Sequence, residues 1–168
     1  MTSISLSPDT RIVELAPQPT VAVRVQQPMS ELDIGGLLDR HIPAILGRIA
    51  EGDGAPGGAP FVRYHEFGGE RADMEIGFPV ATPLPGLASL SDGQSGEIGA
   101  SELPGGQIAL TVHQGPYDKL GEVYGALHDW IHSQGHDEGR GPWEVYVNDP
   151  SEVDDPAQVR TEVYWPVQ

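Results

Sequence analysis

The strongest constraint on this chain is that it repeats itself. Met74-Glu-Ile-Gly-Phe-Pro-Val80 returns 87 positions later as Thr161-Glu-Val-Tyr-Trp-Pro-Val167. Ala22-Val-Arg-Val-Gln-Gln27 returns at the same offset as Ala109-Leu-Thr-Val-His-Gln114. Between these blocks, Pro60-Phe-Val-Arg-Tyr64 matches Pro142-Trp-Glu-Val-Tyr146 at an offset of 82. Blocks recurring in one order mark a duplicated unit. Copy one covers about residues 11–81, a linker 82–96, and copy two about 97–168.

Each copy has the same local grammar. Val21, Val23 and Val25 alternate with other residues, as do Ile108, Leu110 and Val112, which is strand period. A short strand precedes each, at Arg11–Leu15 and Gly99–Leu103. Pro17-Gln-Pro19 and Pro104-Gly-Gly106 read as hairpin turns between them. A helix follows in each copy. Its stripe is Ile34, Leu37, Leu38, Ile42, Ile45, Leu46 and Ile49 in the first, and Leu120, Val123, Tyr124, Leu127 and Ile131 in the second. Ser30 with Asp33 forms the expected cap, Pro43 a kink, and Gly135 a stop. Two strands close each copy: Phe61–Glu66 with Asp73–Val80, and Trp143–Asn148 with Gln158–Val167.

The predicted fold is therefore α+β, a β-β-α-β-β unit used twice, with eight mainly antiparallel strands and two helices. Two such small copies each bury little, so a single joint domain over residues 1–168 with pseudo-twofold symmetry is expected, and a pocket between the copies.

Charge and composition exclude several classes. Twenty-five acidic residues against nine basic ones give a formal net charge of -16, and Lys119 is the single lysine. Phosphate neutralisation needs clustered Lys and Arg, so a nucleic-acid partner is not expected. With no cysteine, disulfides, thiol nucleophiles and Cys-ligated zinc are out. Met1–Pro8 has neither the basic start nor the apolar run of a signal peptide, and no stretch is long enough for a membrane helix. A cytoplasmic location is the expectation. The loop 53–59 is rich in glycine and proline, 82–96 joins the copies, and 136–141 links the second helix to its strand.

Strand alternation selects candidate site residues. Glu144 and Tyr146 share one face of their strand, as Glu162 and Tyr164 do of theirs. If both faces point one way, two carboxylates and two phenols converge. Trp143 and Trp165 have the opposite parity from the Glu of their strand and read as core. A carboxylate among aromatic rings attracts an organic cation through charge and ring quadrupole. Burial that raises its pKa also makes it a general acid. The competing account is an ordinary solvated sheet face. His113, beside Gly115-Pro-Tyr117, is a candidate for the pocket rim or for stabilising the turn. His128, His132 and His136 are spaced by four, but Gly135 breaks the row and no HExxH pattern is present. They read as an exposed polar face, and no metal ligand set or cofactor is expected. The pairs Gly57-Gly58 and Gly68-Gly69 lack the strand-to-helix setting of a phosphate loop.

Three segments of copy two, His113-Gln-Gly-Pro-Tyr117, Trp143-Glu-Val-Tyr-Val-Asn-Asp-Pro150 and Thr161-Glu-Val-Tyr-Trp-Pro-Val167, resemble the GyrI-like small-molecule-binding family. That domain is also the effector-binding part of AraC-type and MerR-type regulators of the BmrR kind. The resemblance runs from about Arg11 to the C-terminus and is strongest after Gly99. It implies an aromatic pocket with a buried Glu matching Glu144, accompanied by Glu162, Tyr164 and Tyr117. Tyr146 and Tyr64 stand as further walls. The implied function is binding of aromatic, often cationic, small molecules. Alternatives implied by the same resemblance are a hydrolase that opens the cyclopropane of DNA-alkylating natural products, with Glu144 as acid or base, and a protein-partner role like that of gyrase inhibitors. No helix-turn-helix stretch precedes the domain. The oligomeric state is left open.

Overall fold

The structure, a computed structural model, describes residues 6–52, 54–66, 70–84, 86–87, 89–90, 97–139, 141–148 and 153–168. Gly68-Gly69, the end of the linker (91–96) and residues 149–152 lie outside the described residues. Eight strands and two helices follow the expected order: β1 (Arg11–Leu15), β2 (Gln18–Pro28), α1 (Ile34–Glu51), β3 (Phe61–Glu66), β4 (Arg71–Pro79), β5 (Ile98–Leu103), β6 (Gly106–Gln114), α2 (Leu120–Ser133), β7 (Trp143–Tyr146) and β8 (Arg160–Pro166). All the described strand pairings within the two units are antiparallel.

The chain forms two compact units, Pro17–Pro104 and Met1–Ala16 with Gly105–Gln168. In the first unit the strands run β3-β4-β2-β5; in the second they run β7-β8-β6-β1. The orders are equivalent, as a duplication requires, but each copy's first strand has changed places. The expected hairpins β1–β2 and β5–β6 do not form. Instead β1 pairs with β6 (Leu15 opposite Gly106), and β5 pairs with β2 (Leu103 opposite Gln18). The turn chemistry explains this. A two-residue hairpin needs a primed turn with positive φ at its first central residue. Ala16 precedes Pro17, and Leu103 precedes Pro104, so the ring holds the residue before it extended, and proline fixes its own φ near −65°. The backbone runs on rather than reversing.

The helices form where periodicity placed them. Asp33 alone caps α1, its Oδ1 accepting from the Gly36 backbone N–H at 3.2 Å. Ser30 lies in a 3-10 turn before it, so the expected Ser30–Asp33 box is not made. Leu37, Leu38, Ile45 and Ile49 are buried, and α1 packs across β2 and β4. On α2 the buried stripe is Leu120, Val123, Leu127 and Ile131. Each such side chain contributes roughly 1.5–3 kcal/mol of apolar burial. Gly135 takes φ +82° and ends α2 in a Schellman motif, with His136 N–H on the Ile131 carbonyl at 3.2 Å and Gly135 N–H on that of His132 at 3.1 Å. Among the described residues no helix is long and apolar enough to cross a membrane.

Candidate functional site

In the second unit, the register between β7 and β8 decides which side chains meet. Glu144 lies opposite Val163, and Glu162 opposite Val145. Every even-numbered residue of β7 thus faces an odd-numbered one of β8, so the even positions 144 and 162 are on opposite faces of the sheet. The expected convergence of two carboxylates and two phenols does not occur.

Glu144 and Tyr146 point to the face that α2 covers. The register across three strands sets Tyr146 beside Thr161 and Thr161 beside His113, and in the next row Glu144 beside Val163 and Val163 beside Thr111. Glu144 is 1% exposed. A carboxylate so deep must be hydrogen-bonded, and two phenols do this. Tyr146 donates to Oε1 at 2.7 Å, and Tyr124, from α2, donates to Oε2 at 2.7 Å. Tyr117 meets the Tyr146 ring edge to face, with centroids 5.3 Å apart. Tyr124 does the same with Trp165 at 5.6 Å, and the Trp165 indole N–H donates to the Gly139 carbonyl at 3.0 Å. The result is a carboxylate set among aromatic rings. The Thr161 hydroxyl is buried on this same face and finds no hydrogen-bond partner among the described residues.

His113 is also on this face and buried. Its Nε2 donates to the Pro116 carbonyl at 3.0 Å, which stabilises the turn. Next to it, a cavity of about 340 Å³ is lined by Val112, His113, Val123, Arg160 and Pro8. Tyr117 stands in a 3-10 turn immediately after that bend, delivered by Gly115 at φ +133°.

The opposite face holds the other pair. Tyr164 stacks on Trp143, with centroids 5.2 Å apart and planes 3° from parallel, and its hydroxyl donates to Glu162 Oε1 at 3.0 Å. Burial, followed by the neighbouring Glu162 carboxylate, holds the phenol protonated well above the usual tyrosine range. Trp143 and Trp165 are both buried, as expected of core residues, though Trp165 belongs to the Glu144 face.

Tyr64, in the first unit, is buried in β3. Val62 occupies the place that Glu144 has in the second copy, so the repeated scaffold itself does not require an acid there. The first unit has a different buried acid. Glu75 on β4 is 4% exposed and pairs with His65. Burial pushes its carboxyl up, but hydrogen bonds from His65 and Ser101, with His65 and Arg63 nearby, bring it below the ordinary glutamate value. Beside it Arg24 grips Asp73 with two bonds of 2.8 and 2.7 Å.

Sequence reasoning assigned Tyr124 to the helix stripe and missed it, Thr161 and Glu75 as polar partners. For Glu75 the repeat itself was a signal, since its Glu recurs as Glu162. For Tyr124 the signal was a phenol inside an otherwise aliphatic stripe.

The family model of the GyrI-like small molecule binding domain matches residues 8–168, almost the whole chain. The chain belongs to this family. Solved structures share the GyrI-like fold. The EcmrR C-terminal domain is 22% identical with a TM-score of 0.70, covering 95% of this chain and 97% of that one. This chain spans only 57% of EcmrR as seen in its complex with DNA. SAV2435, solved bound to tetraphenylphosphonium, is 15% identical with a TM-score of 0.62, covering 95% of this chain and 94% of that one. A hydrolase encoded by lin2189 from Listeria innocua is 10% identical with a TM-score of 0.64, covering 98% and 94%. No curated protein sequence matches the chain.

Proposed function

We propose that this GyrI-like domain binds aromatic, cationic small molecules, with Glu144 supplying the charge and Tyr117, Tyr124 and Tyr146 the rings. The observation that carries this reading is the buried Glu144 carboxylate held by two phenols, at a position where the other copy has Val62. A buried carboxylate in a low-dielectric, ring-lined setting attracts a delocalised cation strongly, because neither has much hydration to lose on contact. Apolar contact adds about 25 cal/mol per Å² buried, less the cost of ordering the ligand. That SAV2435 was solved with tetraphenylphosphonium makes this compound the natural probe.

The test is calorimetric titration with tetraphenylphosphonium and with a neutral triaryl compound of similar size. Binding of the cation should weaken about tenfold or more in Glu144→Gln, a loss of about 1.4 kcal/mol, while the neutral compound is unaffected. Equal binding of the two compounds by the native protein would overturn the electrostatic part.

A second reading shares the site. A buried carboxylate bonded to two phenols is also the geometry of an acid–base group, and the Listeria protein with the same fold is described as a hydrolase. In this reading Glu144 exchanges a proton with the substrate while water opens a strained ring. Incubation with a cyclopropane alkylator, followed by mass spectrometry, separates the two: turnover lost in Glu144→Gln supports hydrolysis, and intact compound at the buffer rate leaves binding alone.

A further inference from the structure

One cluster does not include Glu144 or its phenols, though the His128 ring stands 6.3 Å from that of Trp165. His128 and His132 are one turn apart on α2, with ring centroids 4.5 Å apart. The helix ends at Ser133, so His136 leaves the row and turns its Nδ1 to the Gln168 carbonyl at 3.2 Å. Its place is taken by Glu138. Nε2 of His128 stands 3.1 Å from Glu138 Oε1, and Nε2 of His132 stands 2.6 Å from Oε2. The three side chains bring one ligand atom each within 4.8 Å of one another.

Two further features separate this cluster from a chance meeting of surface charges. Both imidazoles turn Nε2 inward, and Nδ1 of each looks out to a second carboxylate: Asp129 at 3.4 Å from His128, and Asp137 at 3.8 Å from His132. At His128 the outer carboxylate is within hydrogen-bond reach, the arrangement that orients a metal-binding histidine; at His132 Asp137 stands near as a charge only. The acid is also anchored. Glu138 bridges to Val167, with Asp137 and Gln168 exchanging backbone bonds of 3.3 and 2.8 Å and Gly139 N–H on the Pro166 carbonyl at 2.6 Å. The C-terminal end of α2 further favours a cation.

We propose that His128, His132 and Glu138 form a binding site for a divalent transition metal, zinc above all. Two imidazole nitrogens and one carboxylate oxygen form a zinc ligand set that leaves a fourth position for water. Ligand atoms about 2.0–2.1 Å from a tetrahedral zinc stand about 3.3 Å apart. The three side chains, with ligand atoms within 4.8 Å of one another, need only small side-chain adjustments to reach that spacing. Side-chain exposures of 44%, 45% and 30% leave it an entry path. Magnesium and calcium, which prefer all-oxygen shells, fit poorly.

The experiment is titration of the full chain at pH 7.5 with zinc by calorimetry, and with cobalt(II) followed by its visible absorption. One equivalent should bind with micromolar affinity. His132→Ala and Glu138→Gln should each weaken it about tenfold or more, and His136→Ala should leave it unchanged. Millimolar magnesium should not compete. The proposal is overturned if zinc shows no saturable binding below about 100 µM, if binding persists in the His128→Ala/His132→Ala pair, or if magnesium displaces it. Far-UV circular dichroism checks that each variant is folded.

Discussion

The Tyr124 hydroxyl, on helix α2, lies 2.7 Å from Oε2 of Glu144 on β7, so a buried acid ties the helix to the sheet. Tyr124→Phe removes this donor from a buried carboxylate. The variant should lose about 1–3 kcal/mol of unfolding free energy in urea. Tyr146→Phe should lose a similar amount. Because both phenols serve one carboxylate, the double variant should depart from additivity. Additive losses within error would mean that the two bonds are independent.

Glu144→Val copies the residue that the first copy carries as Val62. Alone it leaves two phenol hydroxyls facing an apolar side chain and should cost about 1–3 kcal/mol. Combined with Tyr124→Phe and Tyr146→Phe, it should recover part of that loss, since replacing buried polar partners together is often neutral or stabilising. The triple variant should nevertheless no longer bind tetraphenylphosphonium. If it binds as well as the native protein, the ligand reading falls while the fold remains intact.

At Gly77 the strand β4 lies close against β2. A Cβ there would overlap the Val21 carbonyl oxygen and press on Ala22. Gly77→Ala should therefore destabilise by about 1–3 kcal/mol through forced backbone displacement. The second copy has Tyr164 at the matching position, so the close approach belongs to the first unit alone. A shift of less than a few tenths of a kcal/mol in denaturant unfolding would contradict the packing described.

Pro43 lies inside α1, exposed, and withholds one backbone donor from the helix. Pro43→Ala should raise stability, by up to about 3 kcal/mol. Thermal unfolding reads this directly; a lower midpoint would show that the ring contributes packing that the structure does not reveal.

Two carboxylates of the first unit contribute to the acid limb of stability. Asp73 is held below its ordinary value chiefly by the Arg24 hydrogen bonds, against burial. Glu75 is raised by burial, but His65, Ser101 and Arg63 bring it below its ordinary value. A carboxyl whose folded value is depressed stabilises the fold above its unfolded value and loses that contribution as pH falls through the folded one. The contribution of these two carboxyls should thus be level above the ordinary glutamate value of 4.5 and decline below it. Asp73→Asn with Glu75→Gln should be less stable at neutral pH and flatten the acid limb. An unchanged limb in urea melts at pH 3 to 5 would show that other carboxylates dominate (roughly the range in which free carboxyls titrate).

The repeat, the strand alternation and the helical stripes were all written in local order. They depend on side-chain period and turn residues, which neighbouring positions settle among themselves. So the duplicated unit, the boundaries of β1 and β3, and the Gly135 stop could be read directly. A resemblance carried by Gly115-Pro-Tyr117 and Trp143-Glu-Val-Tyr146 pointed to Glu144. Pairing was another matter. Which strand receives β1, and whether Glu162 faces with Glu144, turn on register between segments distant along the chain, and a shift of one residue reverses every side chain. Tyr124 reaching Glu144 from a helix, and Glu138 arriving beside His128 and His132, likewise needed the packed molecule, because only burial and close approach select among the partners that alternation leaves open.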